Sequence, residues 1–289
     1  SDNLTNIKTP VLTGQTEAGA SVVIKLNNQE WLLEADEKGN WRLQLPETLL
    51  LNDGTYTYTV TATDKAGNTT TKEFSFTVDT QTFLTASIEG ASMGETEGHF
   101  LSTHAKPVFQ GEAEAGSSLV LNINGKEYSV IADKNGKWAI SLQDILPDGQ
   151  YVYEIIVTDV AGNSQRLEGN LEIDTTPPEV QVALADSSDS SEKGDWLTNV
   201  DKPAFVITTE PGSKVIVTFD GERYELVASE DGSVTIQPEY ALADGDHVIT
   251  VEVADRFGNV STVNKTLTID TQEPEVTGGL DKESDSGIF

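Results

Sequence analysis

The stretch DGTYTYTVTATDKAGN (residues 53–68) returns as DGQYVYEIIVTDVAGN (148–163) and again as DGDHVITVEVADRFGN (244–259), at offsets of 95 and 96 residues. Each copy alternates apolar and polar positions between an Asp-Gly and a Gly-Asn, the pattern of a half-buried strand bounded by turns. In the first copy Tyr56, Tyr58, Val60 and Ala62 face one way and threonines the other; Tyr151, Tyr153, Ile155 and Val157 match them in the second.

Other landmarks keep the same step. Pro10, Pro107 and Pro203 each precede an apolar alternation; Glu17-Ala-Gly, Glu114-Ala-Gly and Glu210-Pro-Gly form the next turn; Asp79-Thr80, Asp174-Thr175 and Asp270-Thr271 close each copy. The chain therefore reads as tandem repeats of about 96 residues, at 1–79, 80–174 and 175–270, with 271–289 opening a further one. SDNLTNIKTP at the start aligns with GDWLTNVDKP (194–203), so the first repeat enters after its first strand.

In the third repeat the strands are expected at Glu179–Leu184, Lys202–Thr209, Lys214–Phe219, Arg223–Ala228, Ser233–Gln237, His247–Asp255 and Ser261–Asp270, labelled A to G in that order. No stretch has helical periodicity. Seven short strands with turns every 8 to 12 residues predict an all-β chain of three tandem immunoglobulin-like β-sandwiches. An odd strand count puts entry and exit at opposite poles, so the sandwiches are expected to join into an elongated rod. Tyr56 and Tyr151, just after Asp-Gly, sit where a tyrosine corner is expected. The third repeat has His247 there, read as a core or rim residue, and Val234 in place of Trp41 and Trp138.

Composition narrows the function classes. The 289 residues hold no cysteine, and 48 acidic against 18 basic side chains give a net charge of −30. Disulfide frameworks and thiolate metal sites are excluded. Such a surface repels nucleic acid and anionic lipid and favours cations. No segment is long and apolar enough for a membrane span, and the start lacks a signal-peptide pattern. A soluble monomer is expected, with no nucleic-acid partner and no membrane insertion, and, if exported, not by a signal within this sequence.

The TD-x-A-G-N hairpin, the closing D-T and D-T-T-P-P junctions, and S-D-S with G-D-W-L-T-N resemble the bacterial Ig-like repeats of giant type I-secreted non-fimbrial adhesins. The resemblance covers essentially the whole chain. It implies a secreted or bacterial surface-anchored array whose neighbouring repeats are bridged by Ca²⁺, and which projects a distal tip. Host-cell surface glycans are partners implied for the full-length protein, and direct glycan binding by these repeats is the alternative reading.

Calcium takes six to eight oxygen ligands, so a site needs carboxylates converging from several loops. By strand parity, the exit of strand G meets the F-G hairpin, B-C turn and D-E turn of the next repeat. Asp79 is thus expected near Asp159, and Asp174 near Asp255, with Asp64 and Asp270 in the same repeat positions at the outer ends. A second acidic cluster, DSSDSSEKGD (186–195), offers Asp189 and Asp195 beside Asp186 and Glu192. The second repeat has Met93 and His99 for Asp189 and Asp195, so its loop is expected to bind poorly, and Asp285 matches Asp189 in the opening repeat. The competing reading is that these acids cap turns and keep the array soluble; Asp36 and Asp133 are read as turn formers.

Catalytic signals are weak. GASMG (90–94) matches the nucleophile-elbow spelling but falls in a loop of a β-sandwich, where no strand-to-helix turn exists. His99, His104 and His247 have no metal-ligand spacing, and no phosphate-binding loop is present. No enzyme activity is expected. Trp196 is read as packing beneath its loop rather than as a sugar-binding surface.

Overall fold

The computed structural model describes residues 3–190 and 192–279, so Asp285 lies outside the described residues. Every regular element among them is a β-strand. The chain divides into two compact units, Ser1–Ile173 and Asp174–Phe289, the first holding two repeats.

The first repeat runs β1 (Leu4–Thr5), β2 (Val11–Gln15), β3 (Ser21–Leu26), β4 (Gln29–Glu34), β5 (Asn40–Gln44), β6 (Gly54–Thr63) and β7 (Thr69–Val78). Its sheets are β1-β7-β6-β3-β4 and β2-β5. The second runs β8 (Ser87–Ile88), β9 (Ser92–Met93), β10 (His99–Ser102), β11 (Val108–Glu112), β12 (Ser118–Ile123), β13 (Lys126–Ile131), β14 (Lys137–Ser141), β15 (Gly149–Thr158) and β16 (Ser164–Ile173). Here the sheets are β13-β12-β15-β16-β10-β9 and β14-β11-β8.

The second unit runs β17 (Gln181–Leu184), β18 (Leu197–Thr198), β19 (Phe205–Thr208), β20 (Lys214–Phe219), β21 (Glu222–Val227), β22 (Ser233–Ile236), β23 (Gly245–Ala254) and β24 (Val260–Ile269). The sheets are β17-β19-β22 and β18-β24-β23-β20-β21. All seven expected strands are present with ends shifted by up to three residues. An eighth is added: β18, like β1 and β10, pairs parallel with the last strand of its repeat. The fourth strand, β21, stays hairpinned to β20 in the larger sheet, the arrangement of fibronectin type III sandwiches.

Each core lies between the two sheets of a repeat. The alternation of β15 buries Tyr153, Ile155 and Val157 against Phe109, Leu121 and Trp138. In the third repeat Val234 fills less space than Trp138, and Phe219 stands where Ile123 and Leu26 stand in the others. Phe219 is buried between Phe205, at 5.8 Å between ring centroids, and Tyr224, stacked at 5.2 Å. Aromatic volume has moved from one sheet to the other, which keeps the core filled.

Tyr56 and Tyr151 form the expected corners, their hydroxyls donating to the carbonyls of Asn52 and Pro147 at 2.9 and 2.6 Å. His247 takes the same place: its Nε2 lies 2.8 Å from the Ala243 carbonyl, four residues back, and its Nδ1 lies 2.8 Å from Asp220 Oδ2. The Asp-Gly and Asp-Thr landmarks meet in space. Asp53 Oδ1 accepts from the backbone and hydroxyl of Thr80, and Asp244 Oδ1 does the same for Thr271. These bonds, the Thr271 backbone N–H first, hold the Asp244 carboxyl below its ordinary range.

Candidate metal centre

The F-G hairpins are built by their own aspartates. Asp159 Oδ1 accepts from the Asn163 backbone N–H and Oδ2 from the Asn163 side-chain amide, both at 2.8 Å. Asp64 repeats both bonds with Asn68, and Asp255 repeats them with Asn259 while also accepting from the backbones of Phe257 and Gly258. The Asn68 side-chain and backbone bonds hold the Asp64 carboxyl below its ordinary value. The aspartates of this motif are therefore turn-forming residues whatever else they do.

The asparagine reaches further. The Asn163 amide also donates to the backbone carbonyls of Asp79 at 2.9 Å and Gln81 at 3.3 Å, and the Asn259 amide donates to the Asp174 carbonyl at 2.8 Å. The end of the first repeat's last strand is thus fastened to the second repeat's hairpin, through the main chain rather than through the acidic side chain.

At the first of these junctions three acids converge. Asp79, Glu114 and Asp159 each bring a carboxylate oxygen to within 4.8 Å of the others; Asp159 is buried and the other two half-buried. At such separations each carboxylate pair repels by between about 1 and 4 kcal/mol, depending on whether the effective dielectric is nearer 80 or 20. Burial, then the charges of Asp79 and Asp159, push the Glu114 carboxyl above its ordinary value. An all-oxygen cluster of three carboxylates fits a hard divalent cation such as Ca²⁺, with water or main-chain oxygens completing the shell.

Glu114 was not among the residues singled out from the sequence as ligands. It sits in the turn between β11 and β12, and the only available sign was the recurrence of Glu17, Glu114 and Glu210 at that turn. Asp79 and Asp159 lie together there. No second group of three converging acids occurs among the described residues. Asp174 Oδ1 accepts from the Thr176 backbone at 3.0 Å, and Asp270 Oδ1 from that of Gln272 at 3.1 Å.

The loop after β17 is organised by a lysine. Lys193 Nζ donates to the carbonyls of Asp186 at 3.0 Å and Asp189 at 2.8 Å, and lies 3.9 Å from the Asp186 carboxylate. Asp189 Oδ2 accepts from the Gly194 backbone, while its Oδ1 is buried without a hydrogen-bond partner. Asp195 is exposed and Oδ1 caps the Leu197 backbone. Neither Asp189 nor Asp195 belongs to a converging acidic group. In the second repeat the equivalent segment folds into the β9/β10 hairpin, with His99 Nε2 3.8 Å from Glu172. Ser92, the serine of the elbow-like spelling, is an exposed residue of β9. Trp196 packs against the core of its repeat with Lys265 Nζ 5.6 Å from the ring centroid.

Among curated proteins the chain is similar to Halomucin of Haloquadratum walsbyi, at 23% identity over 265 residues. The match covers 76% of this chain but about 3% of that much longer protein. Among solved structures it is similar to a 1.5-MDa bacterial ice-binding adhesin (19% identity, 90% of each chain, TM-score 0.36). It is also similar to the fibronectin(III)-like modules of Clostridium thermocellum CbhA (12% identity, 68% of this chain and all of the other, TM-score 0.39). The model of the bacterial Ig-like domain, a family of structural and typically non-enzymatic modules, matches residues 1–80, 86–175 and 176–271. Three successive matches spanning nearly the whole sequence, on three sandwiches of that topology, make this chain a member of the bacterial Ig-like domain family.

Proposed function

We propose that this chain is a spacer segment of a large adhesin, secreted to or held at the bacterial cell surface, in which Ca²⁺ stiffens the junctions between Ig-like repeats. The repeats are those of residues 1–79, 80–174 and 175–270, with 271–289 beginning the next. The observation that carries the reading is the convergence of Asp79 from the end of the first repeat with Glu114 and Asp159 of the second. Without a cation these carboxylates repel across a short linker and favour relative movement of the two sandwiches. With one they become shared ligands, and the repulsion turns into a cross-link. The resemblance of the junction motifs to adhesin repeats supports the setting.

The test is Ca²⁺ binding and stability on the whole chain. Asp79→Asn and Glu114→Gln remove charge from groups that do not build the hairpin. Calorimetric titration should show Ca²⁺ binding in the parent and a marked loss in the double variant. A hundredfold excess over Kd should raise the parent's stability by about 2.7 kcal/mol. Small-angle scattering should show a better-defined extended form with Ca²⁺ than with chelator. Superimposable scattering profiles together with an absence of binding heat would remove the junction-calcium reading and leave plain spacer domains.

A further inference from the structure

The second and third repeats distribute the pairings of their outer strands in opposite ways. In the second, β8 faces β11 at Ser87–Gln110 and Ile88–Phe109 alone. Beyond these the Thr85 carbonyl crosses Gly111, where a Cβ would lie 2.0 Å from it, and pairing resumes as an isolated bridge between Leu84 and Ala113. The later strand β10 then lies parallel to β16 over four pairs, His99–Ser102 against Asn170–Ile173. In the third repeat the long pairing comes first: β17 meets β19 over four consecutive residues, and β18 meets β24 over two.

The longer β10 has a local cause. The Gly98 carbonyl accepts from the Asn170 backbone at 2.9 Å and from the Tyr153 hydroxyl at 3.1 Å, which fixes where the strand begins. Gly169 leaves the room for this: a Cβ there would lie 2.3 Å from both oxygens. Phe100 and Leu101 are buried, as are Leu171 and Ile173 on the partner strand. In the third repeat Lys265 stands at the place of Gly169 and Trp196 at that of Phe100. Trp196 has a φ of 62°, which no strand residue adopts, so pairing starts only at Leu197.

Tension along the chain meets these pairings in order. Entering the second repeat at Thr80, it loads β8 first. Once β8 leaves, β9 is pulled away from β10 one pair at a time, because the two are antiparallel and joined by a turn. The load then reaches the start of β10, while the opposite pull acts on the end of β16. Parallel strands drawn apart along their axes load every pair at once, so four pairs resist together. We propose that the second repeat yields to tension in two steps, releasing residues 80–98 while the β10–β16 pairing holds the rest of the sandwich folded. The released segment adds up to about 65 Å at roughly 3.4 Å per residue. In the third repeat the four-pair β17 yields at a load that two pairs at β18 cannot carry, and the sandwich opens in one step. The second repeat is thereby an extensible element that lengthens under load without unfolding. The inference rests on the spacer reading for the source of tension, and on the strand pairings alone for the order of release.

Single-molecule force spectroscopy of the whole chain, held by its two ends in chelator, tests this apart from any junction cation. The chain has no cysteine, so a disulfide can be placed across each pairing to identify its repeat. Leu101→Cys/Glu172→Cys joins residues paired in β10 and β16; it should keep the short step of residues 80–98 and abolish the long one that follows. Leu197→Cys/Thr268→Cys, across β18 and β24, should shorten an event that has no intermediate in the parent. Tyr153→Phe, which keeps the ring in the core and removes the bond to Gly98, should shorten the life of the intermediate at constant force by about fivefold, the effect of one hydrogen bond on an unfolding rate. Gly169→Ala should remove the intermediate altogether. One-step opening of the second repeat overturns the proposal, as does a matching intermediate in the third or a lifetime that Tyr153→Phe leaves unchanged. None of these outcomes bears on whether Ca²⁺ binds at the junction, which the calorimetric titration reads separately.

Discussion

The side-chain amide of Asn163 donates to the main-chain carbonyl of Asp79 at 2.9 Å, so one residue of the second repeat's hairpin holds the exit of the first repeat's last strand. The same amide is bound to Asp159 and Gln81, which makes it both a turn former and a fastener. Asn163→Ala leaves two carbonyls and a carboxylate oxygen without their donor. The expected cost is about 1–3 kcal/mol, falling on both repeats. Asn68→Ala removes a side-chain bond to Asp64 alone and should cost less, with its effect confined to the first repeat. Chemical denaturation of both variants, with hydrogen exchange to locate the loss, makes the comparison; equal costs would mean that the fastening adds nothing.

Glu114 links the junction to pH. Burial and the neighbouring charges of Asp79 and Asp159 raise its carboxyl above the ordinary 4.5, so the folded state binds a proton more readily than the unfolded chain does. Stability from this group is therefore greatest when it is protonated and is lost as the pH rises through the raised value. In chelator, the melting temperature of the first two repeats should gain on acidification toward that value relative to Glu114→Gln. Ca²⁺ competes with the proton, so its stabilising effect should shrink over the same interval. A Ca²⁺ effect that stays constant down to pH 4.5 in the parent would separate the ion from this cluster.

His247 stands in a corner where Tyr56 and Tyr151 stand in the other repeats. Its two ring nitrogens face a carboxylate and a carbonyl, neither of which can donate, so only the imidazolium satisfies both. Burial lowers its pKa, but the Ala243 carbonyl and Asp220, with Asp246 nearby, outweigh that and leave it raised above 6.5. The contribution is complete below about pH 6.5 and lost as the pH rises through the folded value. Hydrogen exchange along β23 should accelerate between pH 6 and pH 8.5, after correction for intrinsic rates, by an amount corresponding to about 1 kcal/mol. His247→Tyr, which restores the hydroxyl corner, should flatten that dependence. A tyrosine variant with the parent's pH profile would place the sensitivity elsewhere.

These sites differ in how far the sequence announced them. The Tyr and Ile alternation of β15 and the recurring Asp-Gly and Gly-Asn pairs were legible because strand periodicity and turn chemistry are local properties. The parallel pairing of Leu197–Thr198 with β24 was not, since two residues carry no period. Asp79 and Asp159 could be brought together from strand parity alone. Glu114 could not be distinguished from any other acid in a turn without the path of β11 into β12. His247 is legible as an odd residue in the tyrosine position, but its second partner, Asp220, comes from the β20-β21 turn, a neighbour that only the sheet supplies.

Lys193 decides whether the loop after β17 needs a metal ion. Its ammonium bridges the carbonyls of Asp186 and Asp189, the positions where a cation would be expected from the run of acids around it. Lys193→Met removes that charge and leaves both carbonyls, with the buried Oδ1 of Asp189, short of a partner. In chelator the variant should lose about 0.5–1.5 kcal/mol in the third repeat. Ca²⁺ should then restore the variant more than it stabilises the parent, because the oxygens released from the lysine suit a hard cation. Differential scanning calorimetry of both chains in Ca²⁺ and in chelator, with Lys193→Met/Asp189→Asn as the control that removes the freed site, reads this directly. An equal Ca²⁺ effect in parent and variant would show that the ammonium and the ion do not compete, and no effect in either would reduce Asp189 and Asp195 to turn caps.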